Sequence, residues 1–143
     1  MDNKEAKPKY IIESDYIYNG FRCICIAQQM GHRCGYIGIP KGHKFYGINY
    51  NEFPDDFEVH GGWTYSDNVF LIPSKDIWWI GFDCAHYWDA PDEKIMREFM
   101  DIKQLTMMLE FSYRDEYATV KTQEFVEQEL QTAVAQLLCM EEK

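Results

Sequence analysis

No apolar run in this sequence approaches the roughly 18–20 residues needed to cross a bilayer. The opening stretch MDNKEAKPKY also lacks the apolar centre of a secretory signal. Both absences point to a cytoplasmic protein with no membrane partner. Cations are scarce as well: 14 Lys and Arg stand against 24 Asp and Glu, for a net charge of -10. That field repels phosphate backbones and argues against a general binder of duplex nucleic acid, while still allowing a small anion in a local pocket. The low hydrophobicity of disordered chains is missing, since 46% of residues are hydrophobic and 27% charged. Five cysteines, an odd number beside no export signal, favour free thiols over a disulfide framework. No internal repeat or low-complexity tract is visible.

Aromatic side chains are abundant: ten Tyr, nine Phe and four Trp supply either a dense core or stacking walls for a ligand. A length of 143 residues suits one domain with its own core. Residues 1–9 are polar and read as a loose arm, leaving 10–143 as a single α+β domain. From Tyr10 the texture changes, and the short runs Ile11-Ile12, Tyr16 to Tyr18 and Phe21 to Ala27 read as a hairpin about the turn pair Asn19-Gly20, with Phe21, Cys23 and Cys25 opposite Arg22, Ile24 and Ile26. Cys34 to Ile39 gives another strand, which Pro40 must end or place at an edge. Lys41 to Asp56 is too punctuated by Gly, Asn, Asp and Pro for a long element and reads as a structured loop. Val59 to Ser66 and Ile77 to Cys84 are further strands, with a short one at Val69 to Ile72 between them.

Beyond Asp89-Ala90-Pro91-Asp92 the pattern turns helical. Ile95, Met96, Phe99, Met100 and Ile102 make one apolar stripe in a segment, 93–112, that reads as an inserted helix or loop. The clearest helix is the last, where Val126, Leu130, Ala133, Val134, Leu137 and Leu138 recur at three- and four-residue steps from about Thr119 onward. The expected fold is a small antiparallel or mixed β-sheet covered on one face by this long C-terminal helix. That helix and the methionine-rich segment also offer a face for a homo-oligomer.

Three stretches carry chemistry. In His60-Gly61-Gly62-Trp63-Thr64-Tyr65-Ser66, adjacent glycines let the backbone approach a ligand and aim amides at an anion. Strand alternation there puts Trp63 and Tyr65 on one face and Thr64 and Ser66 on the other. In the second, the apolar strand from Ile77 runs into Asp83, Cys84, His86 and Asp89, with Asp83 on the face of Trp79. A carboxylate can then bond a ligand hydroxyl or amine while the indole stacks on its ring, although Asp83 and His86 also suit a simple turn cap. The third, Gly35 to His43, adds Tyr36, Lys41 and His43 beside permissive glycines, a set suited to a phosphate and a base.

His60, Asp83, His86 and Asp89 together hold the ligand types of a divalent metal site, but their spacing is not diagnostic, and no cofactor is expected. Cys23 and Cys25 with His32 and Cys34 suggest a zinc knot less than core packing. Cys84 with His86 as its base is a weak nucleophile pair, since residues two apart in a turn need not meet.

Taken together, GYIGIPKGH (35–43), HGGWTYS (60–66) and WWIGFDCAH (78–86) resemble a family of small proteins encoded by bacteriophages and prophages. The resemblance covers about half the chain and implies a phage origin, a host-cytoplasmic setting and a shared site more firmly than it implies a reaction. It marks His43, His60, Gly61, Gly62, Thr64, Tyr65, Trp79, Asp83, Cys84, His86 and Asp89. This chain departs from the family at Lys44, Trp63 and Tyr87-Trp88, where bulk can narrow or reshape a pocket. The resulting expectation is a non-enzymatic protein that sequesters a nucleotide-like host immune signal against anti-phage defence. Its ligand contacts would be Tyr36, Lys41, His43, His60, Gly61, Gly62, Thr64, Tyr65, Trp79, Asp83, His86 and Asp89. One alternative is a hydrolase of such a ligand using His60, Asp83 and His86 as acid, base or metal ligands. Another is an acidic protein-protein inhibitor of a host defence factor.

Overall fold

The computed structural model describes residues 9–70, 72–73, 76–111 and 116–141. All but Lys9 of the expected N-terminal arm lies outside them. Strand β1 (Tyr10–Tyr18) and strand β2 (Phe21–Gln28) form the predicted hairpin. Its turn needs left-handed backbone at both centre positions, which Asn19 (φ 47°) and Gly20 (φ 90°) provide. Strand β3 (Arg33–Pro40) follows, then the expected loop, which contains one 3-10 turn at Tyr50–Glu52.

Strands β4 (Tyr65–Asp67), β5 (Val69–Phe70), β6 (Ile72–Pro73) and β7 (Ile77–Asp83) complete the middle of the chain. The principal sheet has the order β1-β2-β3-β7-β4, and every neighbouring pair is antiparallel. Pro40 is the final residue of β3, opposite Ile77, where its missing amide interrupts nothing further along the strand.

The strand expected over Val59 to Ser66 shrinks to its last residues. Left-handed Gly61 and Gly62 turn the chain before Tyr65, so the alternation inferred for Trp63 and Tyr65 does not hold. Trp63 is buried in the helix-facing core and donates its indole N–H to the Phe57 carbonyl, whereas Tyr65 packs on the opposite face. The expected stripe across 93–112 is also interrupted. Helix α1 (Glu93–Phe99) stops at Met100, helix α2 (Ile102–Phe111) starts afresh, and Ile102 is 82% exposed.

Helix α3 (Gln123–Glu141) lays Val126, Leu130, Ala133, Val134 and Leu137 against Cys23, Cys25, Ile37, Ile39, Ile80 and Phe82. The fold is thus α+β, with the C-terminal helix covering one face of an antiparallel sheet. Thr119 and Val120, expected to open that helix, form strand β9 and pair in parallel with strand β8 (Asp89–Ala90). The other sheet face carries a smaller cluster of Ile24, Ile26, Cys34 and Trp79. Cys34 pairs with Ile26 and so faces away from Cys23 and Cys25, which removes the geometry of a zinc knot. No described helix is long and apolar enough to cross a membrane.

Candidate functional site

The turn between β7 and β8 and the loop before β4 meet around Asp89. The Asp89 carboxylate has no exposed side-chain surface. It accepts from His60 Nε2 at 2.9 and 3.0 Å, from His86 Nδ1 at 2.9 Å and from the His86 amide at 3.1 Å. Lys121 Nζ lies 3.0 Å from its Oδ1. Burial pushes the Asp89 carboxyl up, but hydrogen bonds from His60, His86 and Lys121 outweigh it and hold the acid down at about 2. The β8–β9 pairing explains how Lys121 arrives so late in the sequence: Thr119 donates its amide to the Trp88 carbonyl, two residues before the lysine. Arg33, paired with Glu13 and Asp92 and 7% exposed, also donates to the Lys121 carbonyl at 3.1 Å.

Asp89 fixes the tautomer of His86. A carboxylate only accepts, so Nδ1 carries the proton and a neutral ring presents Nε2 as its free acceptor. The ring stacks on Trp88 with centroids 5.1 Å apart and planes 5° from parallel, so bulk at that departure from the motif braces the imidazole. Its other wall is Gly61. A Cβ there would fall 2.1 Å from His86 Cε1, and φ is +71°, so both space and backbone require glycine.

A pocket of about 260 Å³ opens over His86, with Met30, His32, Ala85, Pro91, Met96 and Met108 among its walls. A second groove of about 540 Å³ runs along Tyr36, Thr64, Tyr65 and Asp83. Both are lined by Met30, His32 and Ala85, so the two hollows lie side by side at the end of β7. Asp83 has fewer partners: Oδ1 accepts from the Ala85 amide at 3.0 Å, Oδ2 from the Thr64 hydroxyl at 3.2 Å, and its side chain is 34% exposed. His86 Nε2 stands 3.8 Å from Asp83 Oδ1, beyond hydrogen-bond reach.

The expected ligand contacts therefore divide. Tyr36, Thr64, Tyr65 and Asp83 line the groove, and His86 and Asp89 line the pocket. His60 lines neither hollow and supports Asp89 from below, with its ring edge-on to Phe125 at 5.1 Å. Gly61 supports His86. Of the two glycine amides expected to cradle phosphate, that of Gly62 donates to the Val59 carbonyl, the neighbouring His60 amide donates to Glu129, and neither glycine lines the two hollows. Trp79 is 4% exposed, beneath Phe70 and the Arg22 guanidinium, and offers no face for stacking.

Lys41 and His43 lie at the far end of the sheet. Cys34 pairs with Asp83 and Pro40 with Ile77, six strand steps of about 3.3 Å, or about 20 Å, away. There His43 Nε2 is 2.8 Å from Glu141, and Nδ1 accepts from the Phe45 amide, so His43 ties the loop to the end of α3.

Donor atoms of His60, His86 and Asp89 lie within 4.8 Å of one another, a set of metal-ligating type. Here both imidazoles aim N–H groups at the carboxylate, and the Lys121 ammonium already occupies its shell. Asp89 is neutralised by protein donors, and a bound cation would have to oppose Lys121 at close range. Cys84 is 2% exposed, and burial, with Asp89 nearby, pushes its thiol up to about 12, so it is a poor nucleophile.

Met30, His32 and Ala85, which border both hollows, are absent from the expected ligand contacts, and of these His32 carries the polar chemistry. Its Nδ1 donates to the Cys84 carbonyl at 2.8 Å, which frees Nε2 in the neutral ring as an acceptor. His32 sits one residue before β3, whose Cys34 pairs directly with Asp83 on the neighbouring strand. Comparison with protein-family models, with curated proteins and with solved structures finds no match to this chain.

Proposed function

We propose that the protein binds a small ring-bearing ligand of nucleoside size in the cleft between Tyr36 and His86, and sequesters it without turnover. One observation carries this reading: two adjoining hollows share Met30, His32 and Ala85 and are walled by aromatic and thioether groups around a few fixed polar atoms. That is the composition of a small-molecule site. The imidazole acceptors of His32 and His86 and the Asp83 carboxylate are set in advance by hydrogen bonds to the fold, which lowers the ordering cost of binding. A nucleotide ligand would place its base and ribose in the cleft and leave its phosphates toward solvent, because the Gly62 amide is engaged and neither glycine lines the hollows. The motif resemblance to phage proteins makes capture of a host defence signal the setting for such binding.

Calorimetry with nucleotide second messengers and their parent nucleosides tests this. The expected result is micromolar or tighter binding of at least one compound, recovered intact after heat denaturation. Absence of binding across the panel would overturn it.

The Asp89–His86 pair favours one second reading, hydrolysis by water. His86 Nε2 would accept a proton from the attacking water while Asp89 steadies the charged ring. Loss of intact ligand under sub-stoichiometric protein, abolished in His86→Gln, would replace sequestration with this activity.

A further inference from the structure

We infer that the Asp83 arm of the cleft selects ligands by charge: it takes a ring bearing a protonated amine or a comparable N–H cation, and it discriminates against carboxylate and phosphate groups. This rests on the cleft being a ligand site, as proposed above, and adds the chemical class of what enters.

Among the described residues that line the groove, Asp83 is the only one with a permanent charge. Its two hydrogen bonds, one to each oxygen, leave a lone pair on each, and a third of the side chain is open to the groove. Nearby cations are already committed. Arg33 is buried against Glu13 and Asp92, and Lys121 against Asp89. The remaining walls are Tyr36, Tyr65, Phe82, the Met30 thioether, Cys34, Ala85, the polar Gln28 and Thr64, and His32, whose Nδ1 is bonded to the Cys84 carbonyl. Burial pushes the Tyr36 phenol up, so it adds no second negative charge. The Tyr36 and Tyr65 rings meet edge to face at 5.6 Å, giving an aromatic wall beside the carboxylate.

An anion entering here meets one fixed negative charge and, among the described residues that line the groove, no Lys or Arg to compensate it. An ammonium meets an anionic acceptor and aromatic electron density, both of which favour it. The overall charge of -10 biases the approach in the same direction.

A matched series isolates the charge: tryptamine, tryptophol and indole-3-propionate share an indole and a two-carbon arm that ends in an ammonium, a hydroxyl or a carboxylate. Titration of the ¹⁵N-labelled full chain gives both affinity and location. The expected order is amine, then alcohol, then acid, with at least a tenfold preference for amine over alcohol and shifts centred on Tyr36, Tyr65 and Ala85. In Asp83→Asn the amine should lose about tenfold while the alcohol changes less than twofold. Asp83→Ser should show the same loss, separating charge from any local distortion.

Equal binding of all three at these residues would overturn charge selection and leave the cleft reading standing. So would an amine preference that survives both variants, or an acid that binds best. If none of the three binds and the nucleoside panel also fails, both readings fall together.

Discussion

Asp83 and Asp89 bracket a single turn, yet they do opposite work. Asp89 is sealed from solvent and receives two imidazoles, a backbone amide and an ammonium, so its lone pairs are used up by the protein. Asp83 receives one amide and one hydroxyl and faces an open groove with acceptor capacity to spare. Residue type does not distinguish the two. What separates a structural carboxylate from a binding one is the count of donors already committed to it. Asp89 builds the platform that holds His86, and Asp83 is left for whatever arrives.

The strongest way to break this contrast is Asp89→Ala. Truncating one member of a buried charge network strands Lys121 and both imidazoles, an effect of about 3–5 kcal/mol, or roughly 10 °C in Tm for a chain of this size. Chemical denaturation measures it, and a loss below about 1 kcal/mol would mean that the network is not what joins the two loops. Gly61→Ala comes next. Its methyl would collide with the His86 ring in a left-handed backbone position, so an expected loss of about 2 kcal/mol should accompany a displaced His86 resonance.

Acid sharpens the comparison further. Despite burial, hydrogen bonds hold the Asp89 carboxyl down at about 2, below the ordinary aspartate value of 3.8, so its charge stabilises the protein fully above about pH 4. That contribution, about 2 kcal/mol, fades as pH falls from 4 toward 2, because the unfolded chain takes up the proton first. In Asp89→Asn the corresponding part of the acid limb should vanish from a pH series of unfolding free energies. An unchanged slope would assign the acid sensitivity to other carboxylates.

Much of the fold was legible because its signals are local. Asn19-Gly20 specifies a turn by backbone chirality, and Val126 through Leu137 specify a helix face by spacing. The meeting of His60-Gly61-Gly62 with the Asp83 to Asp89 turn was also inferable, since each stretch pairs conformational freedom with ionisable groups. The partition within the site was not. Whether an amide is free depends on acceptors such as Glu129, 69 residues from His60, and whether Asp89 is saturated depends on Lys121, brought in by a two-residue parallel pairing. His43 and Lys41 looked like site residues by composition, but strand register carries them to the other end of β3. Trp79 shares a strand face with Asp83 as expected, yet Phe70 and Arg22 cover it. Such facts are tertiary, and no window of sequence contains them.

The smallest expected effect on stability is the most informative one for function. Asp83→Asn preserves the shape of the turn: the amide oxygen can still accept from Ala85 N, and the new NH₂ can donate to the Thr64 hydroxyl, which turns to accept. With both contacts on a partly exposed group, the change should fall within about 0.5 kcal/mol. A loss comparable to that of Asp89→Ala would show that Asp83 also braces the fold, and the contrast between the two carboxylates would collapse. If stability holds while ligand preference changes, the turn divides into a scaffold half and a recognition half. Thermal unfolding of Asp83→Asn and Asp89→Ala side by side, in one buffer and at one pH, decides between these outcomes.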